Sequence, residues 1–418
     1  MNTFSKESLL YIINFYGSPP LNYFEKYLIE TDSALLTILK LPAIRSSKKR
    51  VGIDAFIKDE QGKKHDITLD FFFPLPYFFI FFVQYLINFI LVFVLLGKIR
   101  RKRFDIVIGE TNFGSAVGFL LKKLRIADYS VYFNGDILPN PHSSKKCFFL
   151  PNAKGSYIWF FKIVDTFLLK IQFFLRKIGY KNDLVWYGND KIKKWDASCG
   201  LKSKDSITYD PILIDLEQFK HYEKMEKDMT VLAYIGRIDD YVGFDIIIPA
   251  LSEIKKSTPQ IKLHIIGGSD VAFEKYKQLA KKYNVLEQIR FYGYLPKMED
   301  ALNILSHCAL GLALYKPVAD NVSMISQPAK PKEYIKVGLP VLMTKNGPSI
   351  GKEIVSFGAG VESNFTIEDV TAKIINVLTN KKRYDQLRQG VKKYAKINEY
   401  SHIFSQVWKE MVKRYDQS

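Results

Sequence analysis

The second half of the chain alternates short apolar runs with segments whose apolar side chains recur at helical spacing. Strands and helices in strict alternation predict a parallel sheet with helices on both faces. Helical patterns from Thr366 onward predict the carboxy-terminal helices. The predicted strands cover residues 231–235, 262–268, 289–295, 310–315, 339–344 and 358–363.

The first half repeats this pattern less regularly, with apolar runs at residues 9–15, 34–40, 104–110 and 129–136. The chain is therefore predicted to form two α/β domains. Their boundary is expected near residues 200–229, where polar and charged side chains dominate. Because ligands of open α/β sheets bind beyond the carboxyl ends of the strands, we expect a cleft between the domains.

Residues 71–97 contain no charged side chain and are followed at once by the basic run KIRRKR. The segment is long enough to span a bilayer, which takes about 20 apolar residues. Pro74 and Pro76 interrupt its start, however, and spanning would divide one α/β domain. We therefore expect a helix at the membrane interface, with the basic run on lipid phosphates. The alternative is a buried core helix, with Gln84 and Asn88 on its less buried side.

Residues 157–177 mix aromatic side chains with basic ones, as an interfacial helix would, although solvated helix faces have the same composition. The basic residues of this segment are Lys162, Lys170, Arg176 and Lys177.

The chain has 418 residues and a net charge of +18. Residues 1–205 contain 31 Lys and Arg against 18 Asp and Glu, so most of the excess positive charge lies in the first half. Such a bias suits nucleic acid, anionic lipid or a phosphorylated substrate, but no nucleic-acid recognition motif accompanies the basic runs. The amino terminus has no small-residue cleavage site and is interpreted as a first strand rather than a signal peptide.

The three cysteines, Cys147, Cys199 and Cys308, fit no zinc or redox spacing and are expected to be reduced thiols of a cytosolic protein. Metal chemistry is also not indicated. The six histidines are scattered, and no two aspartates are separated by a single residue, so an Asp-x-Asp clamp for a metal and a sugar nucleotide is absent from the sequence.

Glycines follow several predicted strands. GETNFGSAVG comes after the run FDIVI but is neither a dinucleotide fingerprint nor a P-loop; its glycines could admit a ligand or only pack a tight turn. Gly236 and Arg237 follow the strand at 231–235, and we expect Arg237 to lie where the next helix begins, a position suited to a diphosphate. Taken alone, an arginine after a strand is more often a surface charge. Gly267 and Gly268 form a further glycine pair, at the end of the predicted strand 262–268.

The segment SQPAKPKEYIKVGLPVL contains a predicted helix with Pro331 in its first turn. Lys330 is then at the helix amino terminus, where the lysine and the helix dipole both favour an anion. Glu333, also placed in the first turn, could accept two hydrogen bonds from a vicinal diol such as ribose. Gly338 is expected to end the helix. A capped helix with solvated charges would explain the same residues.

Taken together, these residues resemble the retaining glycosyltransferases of the GT-B fold, the group 1 or family 4 class that uses nucleotide sugars. The resemblance spans about residues 210–400 and includes IDLEQF, IGRIDDYVGFD, KLHIIGG and FYGYL. It is most specific in PAKPKEYIKVGLPVL, which is similar to the signature P-x-K-x-x-E-Y-x-x-x-G-x-P-V. The matching residues are Pro328, Lys330, Glu333, Tyr334, Gly338, Pro340 and Val341.

The resemblance implies an α/β, GT-B architecture of two Rossmann-like parallel-sheet domains facing a cleft. Residues 1–205 would form the membrane-facing acceptor domain and residues 206–395 the nucleotide-sugar domain, with a helix at 396–418 packing back on the first.

The resemblance also implies roles for particular residues. Glu333 would bind the donor ribose, while Arg237 and Lys330 would hold the diphosphate beside Gly236 and Gly267. Asp136, in YFNGD, matches the aspartate of a His–Asp pair that the family often has near the donor sugar, although a glycine replaces the histidine.

Two further departures stand out. Val242 occupies the place of a diphosphate-binding lysine, and Ile325 that of a second glutamate; the latter loss is expected where the P-x-K signature is present. We hypothesise that Lys330 compensates for Val242.

The expected function is metal-independent, cofactor-free transfer of a hexose-type sugar, with retention, from a UDP- or GDP-type donor to a lipid-linked glycan or polysaccharide acceptor. The protein would be peripheral on the inner face of the membrane, with an anionic membrane surface as partner and no nucleic acid. The alternatives are a nucleotide-sugar epimerase of the same fold and a non-catalytic, membrane-bound binding protein.

Overall fold

The computed structural model divides into two compact units: Met1–Asp210 together with Phe404–Ser418, and Pro211–Ile403. The described residues are 8–14, 23–31, 35–41, 50–58, 63–72, 77–98, 103–135, 138, 158–209, 213–318, 321–324, 326 and 328–418.

The first unit contains an eight-stranded sheet in the order β4-β3-β2-β1-β5-β6-β7-β8. From β2 to β8, by way of β1, neighbouring strands are parallel, as the alternation predicts, whereas β3 pairs antiparallel with both β2 and β4. The hairpin of β3 and β4 was not predicted from the sequence. The strands are β1 Ser8–Asn14, β2 Leu35–Leu41, β3 Arg50–Lys58, β4 Lys64–Phe72, β5 Phe104–Glu110, β6 Ala127–Asn134, β7 Leu184–Tyr187 and β8 Ser206–Thr208.

Among the described residues, five helices of the first half and the last helix of the chain, from Phe404 onward, complete this unit. The last helix contributes Phe404, whose ring lies 4.8 Å from that of Phe24 and 6.1 Å from that of Trp186. Its Arg414 Nε lies 2.7 Å from Asp205 Oδ2. The helices are α1 Tyr23–Glu30, α2 Tyr77–Lys98, α3 Thr111–Lys123, α4 Ile158–Gly179, α5 Asp190–Ser198 and α14 Tyr400–Tyr415.

The orientation of α2 differs from the expectation based on its polar residues. Asn88 is fully buried, whereas Leu86, Ile90 and Val94 on the same helix are 60%, 52% and 43% exposed. The prediction that Asn88 marks the less buried side is therefore wrong. The side chain of Gln84 lies outside the described part of the structure.

The second unit contains a six-stranded, fully parallel sheet in the order β11-β10-β9-β12-β13-β14. Apolar side chains from alternate strand positions enter two buried clusters, which the helices cover. This arrangement confirms the α/β class and the six predicted strands. The strands are β9 Asp228–Ile235, β10 Lys262–Ile266, β11 Ile289–Gly293, β12 Cys308–Ala313, β13 Val341–Thr344 and β14 Gly360–Ser363.

One helix of this unit precedes β9 and the others come after the strands along the chain, with the short 3₁₀ turns Leu286–Gln288 and Val322–Met324 between them. The helices are α6 Leu216–Glu223, α7 Phe244–Ser257, α8 Asp270–Lys282, α9 Met298–Ser306, α10 Ala329–Lys336, α11 Ser349–Ser356, α12 Ile367–Thr379 and α13 Lys381–Ile397.

None of the helices that the structure describes is both long and apolar enough to cross a bilayer. The apolar segment at 71–97 is only partly tested, since residues 73–76 and the side chains of 77–85 lie outside the described part. Cys199 and Cys308 are free thiols, and Cys147 lies outside the described residues.

Candidate functional site

Three glycines shape the ends of neighbouring strands in the second unit. Gly236, after β9, and Gly267, after β10, have φ angles of 120° and 97°, in the region that favours glycine. The Gly236 amide donates to the Ile266 carbonyl at 2.9 Å, and the Gly267 amide donates to the Gly293 carbonyl at 2.7 Å. A Cβ on Gly267 would lie 2.5 Å from the Gly236 carbonyl oxygen. The two backbones therefore meet at a distance that no larger residue permits.

Lys330 lies directly against this turn. A Cβ on Gly236 would lie 3.2 Å from Lys330 Cε and 3.5 Å from its Nζ, so the glycine makes room for the lysine side chain. The Nζ is 5.2 Å from the ring centroid of Tyr234 and 5.4 Å from that of Tyr315, within cation–π range. The structure thus brings together Gly236, Gly267 and Lys330, which the sequence analysis selected.

The ammonium group of Lys330 is held by aromatic faces rather than by a carboxylate. Among the described residues it makes no hydrogen bond or ion pair. Burial lowers its pKa to about 8, an effect that Asp239 partly opposes and Arg237 reinforces. A partly buried cation without a paired anion is suited to receiving an anionic ligand.

Tyr315 supplies a second unsatisfied group at this position. Its side chain is fully buried, and its hydroxyl has no hydrogen-bond partner in the described structure. Its backbone is fixed, because the Tyr315 amide donates to Thr344 Oγ1 at 2.8 Å and the Thr344 hydroxyl donates back to the Tyr315 carbonyl at 3.0 Å. A buried hydroxyl without a partner is costly, so a bound polar ligand could offset that cost.

Arg237 follows Gly236 but does not begin a helix, because α7 starts only at Phe244. The prediction that Arg237 lies at the helix start is wrong: it belongs to a loop. Its side chain is 78% exposed, and its Nε donates to Asp239 Oδ2 at 2.9 Å. Asp239 Oδ1 in turn accepts the Tyr241 amide at 2.9 Å, which orders the loop. Arg237 therefore presents an exposed guanidinium beside the site.

Glu333 is the fifth residue of α10. Since the helix begins at Ala329, Glu333 lies in its second turn. The prediction that Glu333 lies in the first turn is therefore wrong. Its carboxylate accepts from Lys336 Nζ at 3.0 Å through Oε1 and 3.2 Å through Oε2, and both residues are at least 90% buried. Each carboxylate oxygen offers more than one lone pair, so hydroxyls of a diol can still be accepted.

Tyr334 fixes α10 on the sheet. Its hydroxyl donates to the Leu312 carbonyl at 2.9 Å and accepts the Ile235 amide at 3.1 Å, joining the helix to β12 and β9. A Cβ on Gly311 would lie 2.3 Å from the Tyr334 ring, so the ring occupies space that only glycine leaves open. Lys330 and Glu333, on the same helix, are thereby fixed relative to the end of β9.

Gly338 ends α10 as predicted. Its φ is 75°, its amide donates to the Ile335 carbonyl at 3.0 Å, and the Leu339 amide donates to the Tyr334 carbonyl at 3.0 Å. These bonds satisfy carbonyls that a helix end leaves unpaired. Pro331 is the third helical residue, where its missing amide hydrogen costs no helix bond.

Val242 is 4% exposed and forms a backbone bridge with Tyr315. It therefore serves as a core residue and cannot replace a basic side chain. Asp136, the carboxylate predicted to act near the donor sugar, lies outside the described residues. Its predicted role remains untested.

The glycine-rich turn after β5 is packed closely. A Cβ on Gly109 would lie 2.2 Å from the Gly114 carbonyl oxygen, so these glycines bring α3 onto the strand. Thr111 has a φ of 67°, unusual for a β-branched residue. Helix–sheet packing therefore accounts for Gly109 and Gly114 without a ligand.

A buried polar network at the end of β6 was missed by the sequence analysis. Arg176 is 1% exposed, and its Nη2 donates to Asp196 Oδ2 at 2.6 Å and to Asn134 Oδ1 at 3.0 Å. Asn134 Nδ2 and the Tyr180 hydroxyl also donate to Asp196 Oδ2. Arg176 therefore does not belong to the basic surface on which the sequence analysis placed it. Its sequence neighbours gave no signal of this burial.

Comparison with known proteins links the second unit to a family. Residues 216–396 match the family described as "Glycosyl transferases group 1". No curated protein matches the chain significantly.

Solved structures resemble nearly the whole chain at low sequence identity. Sucrose-phosphate synthase from Thermosynechococcus elongatus is 12% identical, with 98% of this chain and 100% of that chain covered and a TM-score of 0.64. An α,α-trehalose-phosphate synthase from Burkholderia xenovorans, in complex with glucose-6-phosphate, is 10% identical, with 98% and 100% covered and a TM-score of 0.62. Anabaena HepE, in complex with UDP and glucose, is 13% identical, with 97% and 100% covered and a TM-score of 0.57.

These structures establish the fold, and the family match places its characteristic sequence in the unit that contains Gly236, Lys330 and Glu333. Residues 216–396 match the group 1 glycosyltransferase family, and the chain has the α/β fold of the GT-B glycosyltransferases.

Proposed function

We propose that the protein is a glycosyltransferase that moves a sugar, with retention, from a nucleoside diphosphate sugar to a membrane-associated, lipid-linked glycan in surface polysaccharide or glycoconjugate synthesis. The observation that carries the donor assignment is Lys330: an ammonium group that no anion among the described residues pairs, between two aromatic rings and beside Gly236. A diphosphate supplies the missing anion.

In this proposal the donor lies along α10 and the end of β9. Lys330 and Arg237 bind the diphosphate, the turn at Gly236 and Gly267 admits it close to the backbone, and Glu333 accepts hydrogen bonds from the ribose hydroxyls. UDP is the first nucleotide to test, because HepE was solved with UDP and glucose and the Burkholderia synthase is described as UDP-forming. GDP sugars are the next donors to test.

The chemical step requires stabilisation of a leaving group. The bond between the sugar C1 and the diphosphate oxygen breaks, and its electron pair remains on that oxygen. The acceptor hydroxyl oxygen bonds to C1, and its proton passes to the departing phosphate. Lys330 and Arg237 place positive charge where negative charge develops, which is electrostatic catalysis without a metal. Asp136 is proposed to contact the transferred sugar.

The membrane-associated acceptor is supported by the first half of the chain, with its excess of basic residues and its exposed apolar side chains on α2 and α4. One comparison structure, the Burkholderia synthase, is described in complex with glucose-6-phosphate. Glucose-6-phosphate is therefore the competing acceptor in any assay.

The test is transfer from radiolabelled UDP-glucose, and then from other UDP and GDP sugars, into membrane lipid extract or glucose-6-phosphate. We expect a new glycosidic product that wild-type protein forms and Glu333→Ala and Lys330→Ala do not. Lys281→Ala, an exposed charge removal on α8, is the matched control and should retain activity.

Other outcomes distinguish the alternatives. A changed sugar without a new glycosidic bond would indicate an epimerase. Nucleotide binding without turnover with any acceptor would indicate a non-catalytic binding protein. Full transfer by Glu333→Ala would refute the site assignment. Loss of transfer after EDTA, with recovery on adding a divalent cation, would refute the metal-independent mechanism.

A further inference from the structure

Helix α4 presents large apolar side chains to solvent. Ile163, Phe167 and Phe174 are 59%, 50% and 62% exposed. Their spacing of four and seven residues places them on one helix face. The opposite face is buried through Val164 and Leu168. Three large side chains in one exposed row exceed the scattered apolar residues of an ordinary surface.

The same helix also presents positive charge. Lys162, Lys170 and Lys177 are exposed, and Lys170 and Lys177 continue the spacing of the apolar row. The only acidic residue of α4, Asp165, is 2% exposed. The exposed face from Lys162 to Lys177 therefore combines apolar and basic side chains without an exposed carboxylate.

Helix α2 has a similar row. Leu86, Ile90 and Val94 are exposed at intervals of four residues, while Leu91 and Leu95 are buried. The α2 sequence contains no acidic residue. The core that receives Leu91 and Leu95 is also contacted by Leu175 of α4. Two helices of one unit thus pack against a common core, and each leaves an apolar row in solvent.

We propose that an anionic phospholipid bilayer binds the exposed face of α4, which is formed by Ile163, Phe167, Phe174 and the three lysines. The exposed row of α2, beside the same core, belongs to this surface. Charge complementarity identifies the occupant. Apolar side chains can enter the acyl boundary while long lysine side chains extend to lipid phosphates, and the described part of this face offers no carboxylate to pair with a basic partner. The inference rests on the membrane-associated acceptor of the proposed function and names the surface involved.

The experiment is cosedimentation of the full chain with vesicles of phosphatidylcholine alone and of phosphatidylcholine with phosphatidylserine. Wild-type protein should bind the anionic vesicles, and added salt should weaken binding. The triple variant Ile163→Ser, Phe167→Ser, Phe174→Ser should bind at least about tenfold more weakly, because it loses apolar area that enters the bilayer. The triple variant Lys162→Gln, Lys170→Gln, Lys177→Gln should lose the preference for anionic vesicles.

A matched control, the triple variant Met298→Ser, Phe357→Ser, Ile397→Ser, removes three exposed apolar side chains of the second unit. In the wild type these side chains are 43%, 38% and 43% exposed. This variant should bind vesicles like wild type. Because all six α4 positions are exposed, the variants should fold, and an unchanged thermal shift with UDP checks that the second unit is intact.

Several results would refute the proposal that this surface binds a bilayer. Wild-type-like vesicle binding by both α4 variants would do so, as would equal binding to neutral and anionic vesicles. Self-association of the wild type that the apolar triple variant abolishes, without vesicle binding, would assign the face to a second copy instead. Vesicle binding through α4 without sugar transfer would support this surface and refute the proposed function. Sugar transfer without vesicle binding would support the glycosyltransferase activity and refute this surface.

Discussion

The most informative single residue is Lys330. Its ammonium lies between the rings of Tyr234 and Tyr315, and burial lowers its pKa to about 8. Below that pH the group is charged and can bind a diphosphate; above it the group is neutral. We therefore expect the affinity for UDP to fall as the pH rises through about 8, as measured by calorimetric titration.

Lys330→Met is the matching variant. It should bind UDP more weakly and lose this pH dependence. The stability of the ligand-free protein should change in the opposite direction. A lysine whose folded pKa of about 8 lies below the unfolded value of 10.5 disfavours folding in full below about pH 8, and this cost disappears as the pH rises to 10.5. Lys330→Met should accordingly unfold at or above the wild-type temperature at neutral pH. A UDP affinity that stays constant between pH 6 and 10 in the wild type would exclude Lys330 as the phosphate ligand.

The buried pair of Glu333 and Lys336 provides a second prediction at this scale. Removing one partner of a buried ion pair leaves the other uncompensated, so Lys336→Met should lower the free energy of unfolding by about 3 kcal/mol in urea titrations. It should also release the carboxylate from its fixed orientation. Wild-type protein should prefer UDP over an analogue that lacks both ribose hydroxyls, and Lys336→Met should reduce that preference.

Two comparisons separate orientation from general damage. Lys336→Arg keeps the positive charge and should restore part of the preference for ribose. The double variant Glu333→Gln, Lys336→Met should be more stable than Lys336→Met alone, since no buried charge remains unpaired. If Lys336→Met keeps the full preference, Lys336 does not position Glu333 for the donor.

At the scale of elements, the position of α10 depends on one close contact. The ring of Tyr334 fills the space where a Cβ on Gly311 would lie, at 2.3 Å. Gly311→Ala should therefore push α10 away from β12, at a cost of about 1–3 kcal/mol in the free energy of unfolding. UDP affinity should fall as well, because Lys330 and Glu333 move with the helix.

Gly97→Ala is the control for this substitution. A Cβ at Gly97, in the last turn of α2, would meet no atom within 4 Å. Alanine also has the higher helix propensity, so the variant should be neutral or stabilised by up to about 1 kcal/mol, with unchanged UDP affinity. Equal stability of Gly311→Ala and wild type would show that α10 adjusts at little cost.

The elements also show where periodicity misled the sequence analysis. In α2, Asn88 is buried and Leu86 is exposed, because a helix that is apolar almost all round carries no marker of its solvent side. The hairpin of β3 and β4 was overlooked, although apolar side chains recur at alternate positions of both strand sequences. The signal for that hairpin was present in the local pattern.

At the scale of the whole molecule, ligand effects should be confined largely to one unit. Every described residue of the donor site belongs to Pro211–Ile403. UDP at about a hundred times its Kd should stabilise this unit by about 2.7 kcal/mol. Hydrogen exchange should slow in residues 236–243, 266–268 and 328–338, whereas the buried network of Arg176 and Asp196 should exchange as before. Protection confined to the first unit would refute the assignment of the donor site.

The sequence by itself determined the alternation of strands and helices in the second unit and the segment that carries Lys330, Glu333 and Gly338. Those features depend on side-chain period and turn chemistry, which act over a few neighbouring residues. The sequence also indicated that Gly236 and Gly267 form turns at strand ends, since an apolar run followed by glycine is recognisable from neighbouring residues alone.

Only the tertiary structure decided which partners these residues meet. The aromatic rings around Lys330 come from β9 and the end of β12, the pairing of Glu333 with Lys336 is significant only because both are buried, and Arg176 has the same local sequence character as the exposed lysines of α4. Burial and unsatisfied hydrogen bonds arise from packing between segments far apart in the chain, and a local pattern contains no information about that packing.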